Sequence, residues 1–397
     1  MSRMIPTNNF NDPAEPDRIL HVGAPNIGDR ETFDRLVDEI FERRWFTNSG
    51  AVVKEFESKL CDYLGVKHCI TVCNATIGLQ LVCRALHLTG EVILPAWTFV
   101  ATAHAVQWEG LQPVFADVDL RTHTINPKQA ETLITDKTSA ILGVHLWGNP
   151  CDTARLQQIA DDHDLRIFYD AAHAFGCGHR NRMVGNFGDC EVFSFHATKF
   201  FNTFEGGAIA TNDDDLAQKL SLMKNFGFES MDRVVHLGTN AKMNEVSAAM
   251  GLSMFARLEQ TLSDNRRNYD RYRKQLGNLS GLRVFAYDPT AETNWQYVVL
   301  EIDQSAFGAS RDTVMQYLHD NGVRARRYFY PGCHNMEPYR SGQTGPLHDL
   351  QNTESLSGKV LCLPTGSAIT VADVDRVCRL IKQSVGSKPK GILRVAG

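Results

Sequence analysis

Phe193-Ser194-Phe195-His196-Ala197-Thr198-Lys199, with Asn202-Thr203-Phe204-Glu205-Gly206-Gly207 close behind, is the stretch on which the reading of this chain turns. An apolar strand runs into a lysine hemmed in by Phe193, Phe195 and Phe200, so the amine is not expected on the open surface. Upstream, Phe168-Tyr169-Asp170-Ala171-Ala172-His173-Ala174-Phe175-Gly176 repeats the form, with an aspartate ending the strand. A lysine amine condenses with an aldehyde. A carboxylate keeps a pyridine nitrogen protonated, so the ring can draw electrons from a neighbouring bond. Pyridoxal phosphate (PLP) chemistry needs both. Twenty-nine residues separate Lys199 from Asp170, so only a fold can join them.

The chain has 397 residues, which predicts one large and one smaller domain. Hydrophobic residues make up 43% and charged residues 22%, the balance of a globular protein. A formal net charge of −5 without a basic stretch argues against nucleic acid as a partner. Met1 to Asn11 lacks a signal-peptide core and no apolar run reaches membrane-spanning length, so a cytoplasmic protein is expected. The ten cysteines form no C-x-x-C pair and no H-E-x-x-H occurs, so no metal site is expected.

Residues 1–30 read as an extended arm, and helical patterns follow over 31–44 and 52–64. Strands are then predicted at His68–Cys73, Glu91–Leu94, Gln112–Asp117, Ser139–Leu146, Arg166–Tyr169, Glu191–Phe195 and Ala208–Thr211. Helices are predicted between them at Ile77–Leu88, Thr98–Glu109, Asn126–Ile134 and Asp152–His163. That alternation predicts an α/β fold with a doubly wound sheet, whose ligands bind at the carboxyl ends of strands. One long helix is expected from about Asn244 to Gln275. Residues 276–397 read as a small α+β C-terminal domain, with a disordered tail after Ser384. The division is therefore 1–30, 31–275 and 276–397.

Cys73-Asn74-Ala75-Thr76 ends a strand and opens a helix, whose free N–H groups suit a phosphate. Taken alone, this turn reads more readily as an ordinary N-cap. Trp97, in Pro95-Ala96-Trp97-Thr98-Phe99, offers a ring to stack on a pyridine, with a core role as the plain alternative. Asp170 is either the pyridine partner or a helix N-cap. His173 shares a helical face with Asp170 if a helix follows, and then meets Asp170 or the cofactor's phenolic oxygen. Ser194 offers a donor to the phosphate. Arg233, Arg326 and Arg327 are candidates for binding a substrate carboxylate.

These motifs, together with Gly238-Thr239-Asn240-Ala241-Lys242-Met243, resemble the DegT/DnrJ/StrS-type nucleotide-sugar aminotransferases over about residues 20–385. The resemblance implies PLP-dependent fold-type I (aspartate aminotransferase-like): a large domain with a mixed, mostly parallel sheet, plus the small α+β domain. It implies a homodimer with each active site at the subunit interface. Lys199 is then the cofactor-bearing lysine and Asp170 the pyridine partner. Ala75, Thr76 and Ser194 hold the phosphate, and Trp97 stacks on the ring. Asn240 reaches the neighbouring subunit's phosphate. The family often has glutamine at the position of His173. The motifs at Gly143–Cys151 and Tyr328–Tyr339 resemble in particular the branch that makes dTDP-4-amino-4,6-dideoxyglucose from L-glutamate and a dTDP-4-keto-6-deoxyhexose. This likeness places Tyr330 and His334 near the sugar. Three rivals accompany this reading: a 3-keto or UDP- or GDP-linked sugar, a PLP-dependent sugar dehydratase, and a non-catalytic nucleotide-sugar binder. The dehydratase branch carries histidine at the lysine position, and Lys199 stands against it.

Overall fold

The computed structural model describes residues 18–340 and 349–386. The arm before residue 18 and the tail beyond 386 lie outside the described residues. Seven strands form the central sheet: β1 (His68–Val72), β2 (Glu91–Pro95), β3 (Gln112–Ala116), β4 (Thr138–Val144), β5 (Arg166–Asp170), β6 (Cys190–Ser194) and β7 (Gly207–Thr211). Their spatial order is β1-β7-β6-β5-β4-β2-β3, with β7 antiparallel to both neighbours and the other pairs parallel. Helices cover both faces, which is why these strands read as continuous apolar runs rather than alternating ones. Asn74, Asp170 and Ser194 come together because β1, β5 and β6 end at one edge of the sheet. Gly207 pairs with both Val72 and Ser194, and Asp170 pairs with Val192.

A second sheet, β8 (Leu282–Val284), β9 (Val298–Ile302) and β10 (Val360–Leu363), is antiparallel with β9 in the middle. Helices Arg311–Asp320 and Val371–Gln383 pack beside it. The latter opens with a reciprocal capping box between Thr370 and Asp373. Leu20–His21 adds a short parallel pairing to Val323–Arg324, and Arg18 bonds Asp373, so the end of the N-terminal arm is fastened to this second sheet region.

The expected long helix is two helices, Glu245–Phe255 and Leu258–Leu276. The Arg257 N–H turns back to the Met254 carbonyl at 3.1 Å and the chain leaves helical geometry there. The first helix is almost entirely buried, whereas the second carries polar residues on an exposed face. A straight helix would have carried the apolar face out of the core. The second helix docks on the C-terminal region: Arg271 makes a two-point pair with Asp375 at 2.7 and 2.8 Å, and the Tyr272 hydroxyl donates to Pro364 O at 3.0 Å.

Asp117, just past β3, ties the two sheet regions together. Helix Gln351–Lys359 has no side-chain cap of its own at Leu350. The buried Asp117 carboxylate accepts from Asn352 N at 2.9 Å, Thr353 N at 2.7 Å and the Thr353 hydroxyl at 2.7 Å. Replacing Asp117 by Ala is expected to lower unfolding free energy by about 2 kcal/mol, the upper range for a lost cap. Denaturant unfolding measures it, and a variant with the wild-type midpoint contradicts the capping role.

Candidate active site

A cleft of about 600 Å³ opens at the strand ends and takes walls from both regions of the chain. Its size falls in the range of small-molecule sites. Asn74, Thr76, Asp170, Ser194 and Lys199 line one side, and Tyr297, Arg326, Tyr328 and Phe329 line another.

Asp170 is the last residue of β5 and is 6% exposed. Burial pushes its pKa above the usual carboxylate value, while the Ala172 N–H, the Thr102 hydroxyl and the charge of Lys199 oppose that rise. The Ala172 N–H donates at 3.0 Å and Thr102 Oγ1 at 2.8 Å. No helix follows Asp170, because residues 171–176 make tight turns; the N-cap explanation and the shared helical face with His173 both fall away.

Lys199 follows β6 in a turn closed by its own N–H on His196 O at 2.8 Å. Burial lowers its pKa from 10.5 to about 8, with the charge of Asp170 pulling the other way. Phe193 and Phe195 are fully buried and Phe200 nearly so, which is why the amine is displayed in the cleft and not on open surface. Two residues unsuspected from sequence fix this turn. Gln296 Oε1 accepts from Phe200 N at 3.0 Å, and the buried Asn26 donates to Phe200 O at 2.9 Å. Neither carries a local signal; their role arises from packing between distant segments.

His173 is buried and its pKa lies well below the ordinary value, first through burial and then through Lys199. It is neutral near pH 7. Its Nδ1 accepts from Trp147 N at 3.3 Å, so the hydrogen-bond network puts the ring proton on Nε2, 3.3 Å from the Tyr297 hydroxyl. It makes no bond to Asp170. Asn294 and Gln296 hold the His173 carbonyl at 2.8 and 3.2 Å.

Asn74 caps helix Ala75–Ala85 through Ile77 N at 2.9 Å, leaving the Ala75 and Thr76 amides at the open end. Gly207 backs this turn so closely that a Cβ there would sit 2.9 Å from Ala75 N and 2.7 Å from Phe193 O. The close approach keeps the helix end and the β6 end side by side. A helix N-terminus beside Ser194, a lysine whose pKa burial lowers and a buried carboxylate fit PLP: phosphate, aldehyde and pyridine nitrogen each have a chemically matched group.

Three of the sequence expectations are corrected. Trp97 has no exposed surface and sits in the core against Phe329, with ring centroids 6.3 Å apart, so it covers no ring in the cleft. The chain turns into a helix at Phe99, and that turn sends Trp97 inward and Phe99, 56% exposed, to the cleft. His334 is 4% exposed and does not line the cleft; its Nε2 bonds Asn335 at 2.8 Å. Tyr330 also lies off the cleft wall, packed under the guanidinium groups of Arg311 and Arg327.

The arginine candidates also separate. Arg327 pairs with Asp312 at 3.1 Å and Arg233 pairs with Glu229, both outside the cleft. Arg326 lies in the cleft over the Tyr328 ring at 4.9 Å, and it appears in no ion pair among the described residues. Asn240 is exposed, bridges Asn225 and does not line this cleft.

The model of the DegT/DnrJ/EryC1/StrS aminotransferase family matches residues 28–382. The chain belongs to that family. It is an aminotransferase, and PLP is its cofactor. It is 37% identical over 368 residues to a dTDP-4-amino-4,6-dideoxy-D-glucose transaminase of Shigella dysenteriae, covering 92% of this chain and 99% of that protein. It is 35% identical over 379 residues to a GDP-perosamine synthase of Caulobacter vibrioides, covering 92% and 98%. The solved structure of DesI in the presence of its TDP-sugar product superposes with a TM-score of 0.89 at 47% identity, covering 93% of each chain. The fold-type I reading holds with it.

The lowered pKa of Lys199 makes a direct prediction. In cofactor-free protein its amine becomes reactive as pH rises through about 8 rather than 10.5. Reductive methylation across pH, read by peptide mass spectrometry, measures this; a midpoint near that of surface lysines contradicts the burial argument.

Proposed function

We propose that this aminotransferase moves the amino group of L-glutamate to the 4-keto carbon of a dTDP-4-keto-6-deoxyhexose, forming dTDP-4-amino-4,6-dideoxyglucose. The observation that carries the aminotransfer is the meeting of Lys199 and Asp170 in one cleft beside an open helix N-terminus. The sugar rests on similarity to the Shigella enzyme and to DesI.

Bound PLP supplies the aldehyde and the electron-withdrawing ring. The remaining steps belong to this chain's residues. The Ala75 and Thr76 amides and the Ser194 hydroxyl hold the phosphate. Asp170 holds a proton at the pyridine nitrogen. Neutral His173 would turn its Nε2–H, which meets the Tyr297 hydroxyl in this structure, to the phenolic oxygen. Phe99 takes the stacking role expected of Trp97. Lys199, with a pKa of about 8, holds enough free amine at neutral pH to take the proton from the α-carbon of glutamate. Lys199 would deliver that proton to the cofactor before water releases 2-oxoglutarate and leaves the amino group behind, and the same transfers in reverse would serve the keto-sugar. Arg326 binds a glutamate carboxylate, because its charge faces the cleft without an ion-pair partner among the described residues.

A homodimer fits the exposed apolar side chains Phe226, Met231, Val234 and Leu237, which precede Asn240 in sequence. In it Asn240 reaches the neighbouring subunit's phosphate. This reading places the enzyme in the cytoplasm; no helix among the described residues is long and apolar enough to cross a membrane. The second reading is a GDP-linked 4-keto sugar, favoured by the similarity to GDP-perosamine synthase.

With glutamate as donor, dTDP-4-keto-6-deoxyglucose should be turned over with kcat/KM at least about tenfold above GDP-linked, UDP-linked and 3-keto sugars. The reverse order in a steady-state panel selects the second reading. Lys199→Ala should lose turnover while keeping its fold, and Asp170→Asn should keep cofactor but slow sharply. Arg326→Gln should raise KM for glutamate roughly tenfold or more, the loss of one charge-assisted pair. An unchanged KM removes Arg326 from the carboxylate site. Asn240→Ala should lose PLP faster on dialysis, and equal retention contradicts the shared site.

A further inference from the structure

Two buried threonines with no part in the steps above form a hydrogen-bonded chain that ends on Asp170. Thr98 and Thr102 are 1% and 0% exposed. They stand four residues apart where the chain enters helix Val100–Trp108, so their side chains meet. Thr102 Oγ1 is 2.8 Å from Asp170 Oδ2 and 2.9 Å from Thr98 Oγ1. A hydroxyl has one proton to give. An ionised carboxylate only accepts, so the Thr102 proton points at Asp170. Thr98 must then donate to Thr102. The direction of the chain Thr98 to Thr102 to Asp170 is set by the charge at its end.

We infer that Thr102, supported by Thr98, is a positioning residue that keeps Asp170 ionised and its carboxylate plane fixed for the pyridine nitrogen. The inference rests on the reading of Asp170 as the pyridine partner. Buried carboxylates tend to take up a proton, and a protonated Asp170 has no charge with which to hold the pyridine proton. Two donors work against that, one on each oxygen: Ala172 N–H on Oδ1 and Thr102 on Oδ2. The other groups that act on Asp170 are Lys199 across the cleft and His145 on the adjoining strand end, the latter bonded to the buried Glu191 at 2.7 Å. Both cationic forms favour the ionised carboxylate, and both act on it through charge rather than through a hydrogen bond. Thr102 is the side chain in contact.

The test uses the cofactor-free full chain, in which Asp170 titrates without PLP. The Asp170 carboxyl is followed by carbon NMR of aspartate-labelled protein, assigned by difference against Asp170→Asn. Thr102→Val keeps the β-branched shape and removes the donor; it should raise the Asp170 midpoint by about one pH unit, roughly tenfold in proton affinity. Thr102→Ser restores the hydroxyl and should stay near wild type. Thr98→Val, which weakens the donor chain at its far end, should fall between them. If Thr102→Val titrates as wild type, or Thr102→Ser shifts as far as Thr102→Val, the inference is wrong. Should Thr102→Val not fold, the ordering of Thr98→Val against Thr102→Ser decides. Wild-type turnover in Asp170→Asn would overturn the pyridine role while leaving this titration result intact, so the two failures are distinguishable.

Discussion

Two opposite charges share a low-dielectric cleft, and the molecule is organised around keeping both useful. Burial raises the pKa of Asp170 and lowers that of Lys199, so each is pushed toward its neutral form. The second tendency suits the role proposed for Lys199, that of a base near neutral pH. The first works against the role proposed for Asp170. The fold answers with fixed donors on Asp170 and leaves the Lys199 amine in the open cleft. The two residues therefore receive opposite treatment from the same environment, the usual mark of an acid and a base assigned different tasks.

Holding that arrangement is the work of backbone turns more than of regular elements. Asp170 and Ser194 are the last ladder-paired residues of their strands, and the turns that follow them, like the one at Asn74, lie past the strand ends. Gly207 admits two of these turns into close contact by having no side chain. Asn294, Gln296 and Asn26 supply the missing restraint from other parts of the chain. Asn26 also accepts from Ser367 N at 2.8 Å, which links the lysine turn to the C-terminal region. Asp117 makes a further link by capping helix Gln351–Lys359. The cleft wall formed by Arg326, Tyr328 and Phe329 thus stands at a set distance from the strand ends.

Much of this is legible in the sequence. The apolar runs locate all seven central strands within a few residues, because strands buried on both faces are largely apolar. The β8 and β10 strands leave no such trace; Leu282–Val284 and Val360–Leu363 are three and four residues long, too short to show a period. The helix break at Arg257 is equally silent, because neither proline nor glycine marks it. Trp97 goes astray for a similar reason. Trp97 and Phe99 are two residues apart, and only the point where strand gives way to helix decides which ring turns outward.

Residue chemistry along the chain was sufficient to name the cofactor and to single out Lys199 and Asp170 as the lysine and aspartate proposed to serve it, because a buried amine and a buried carboxylate follow apolar strands there. Which polar atoms meet those two groups was decided only by the folded chain. Thr102, Gln296 and Asn26 lie 68, 97 and 173 residues from Asp170 or Lys199 in sequence, and hydrogen bonds act over ångströms of space, which spacing along a polymer does not encode.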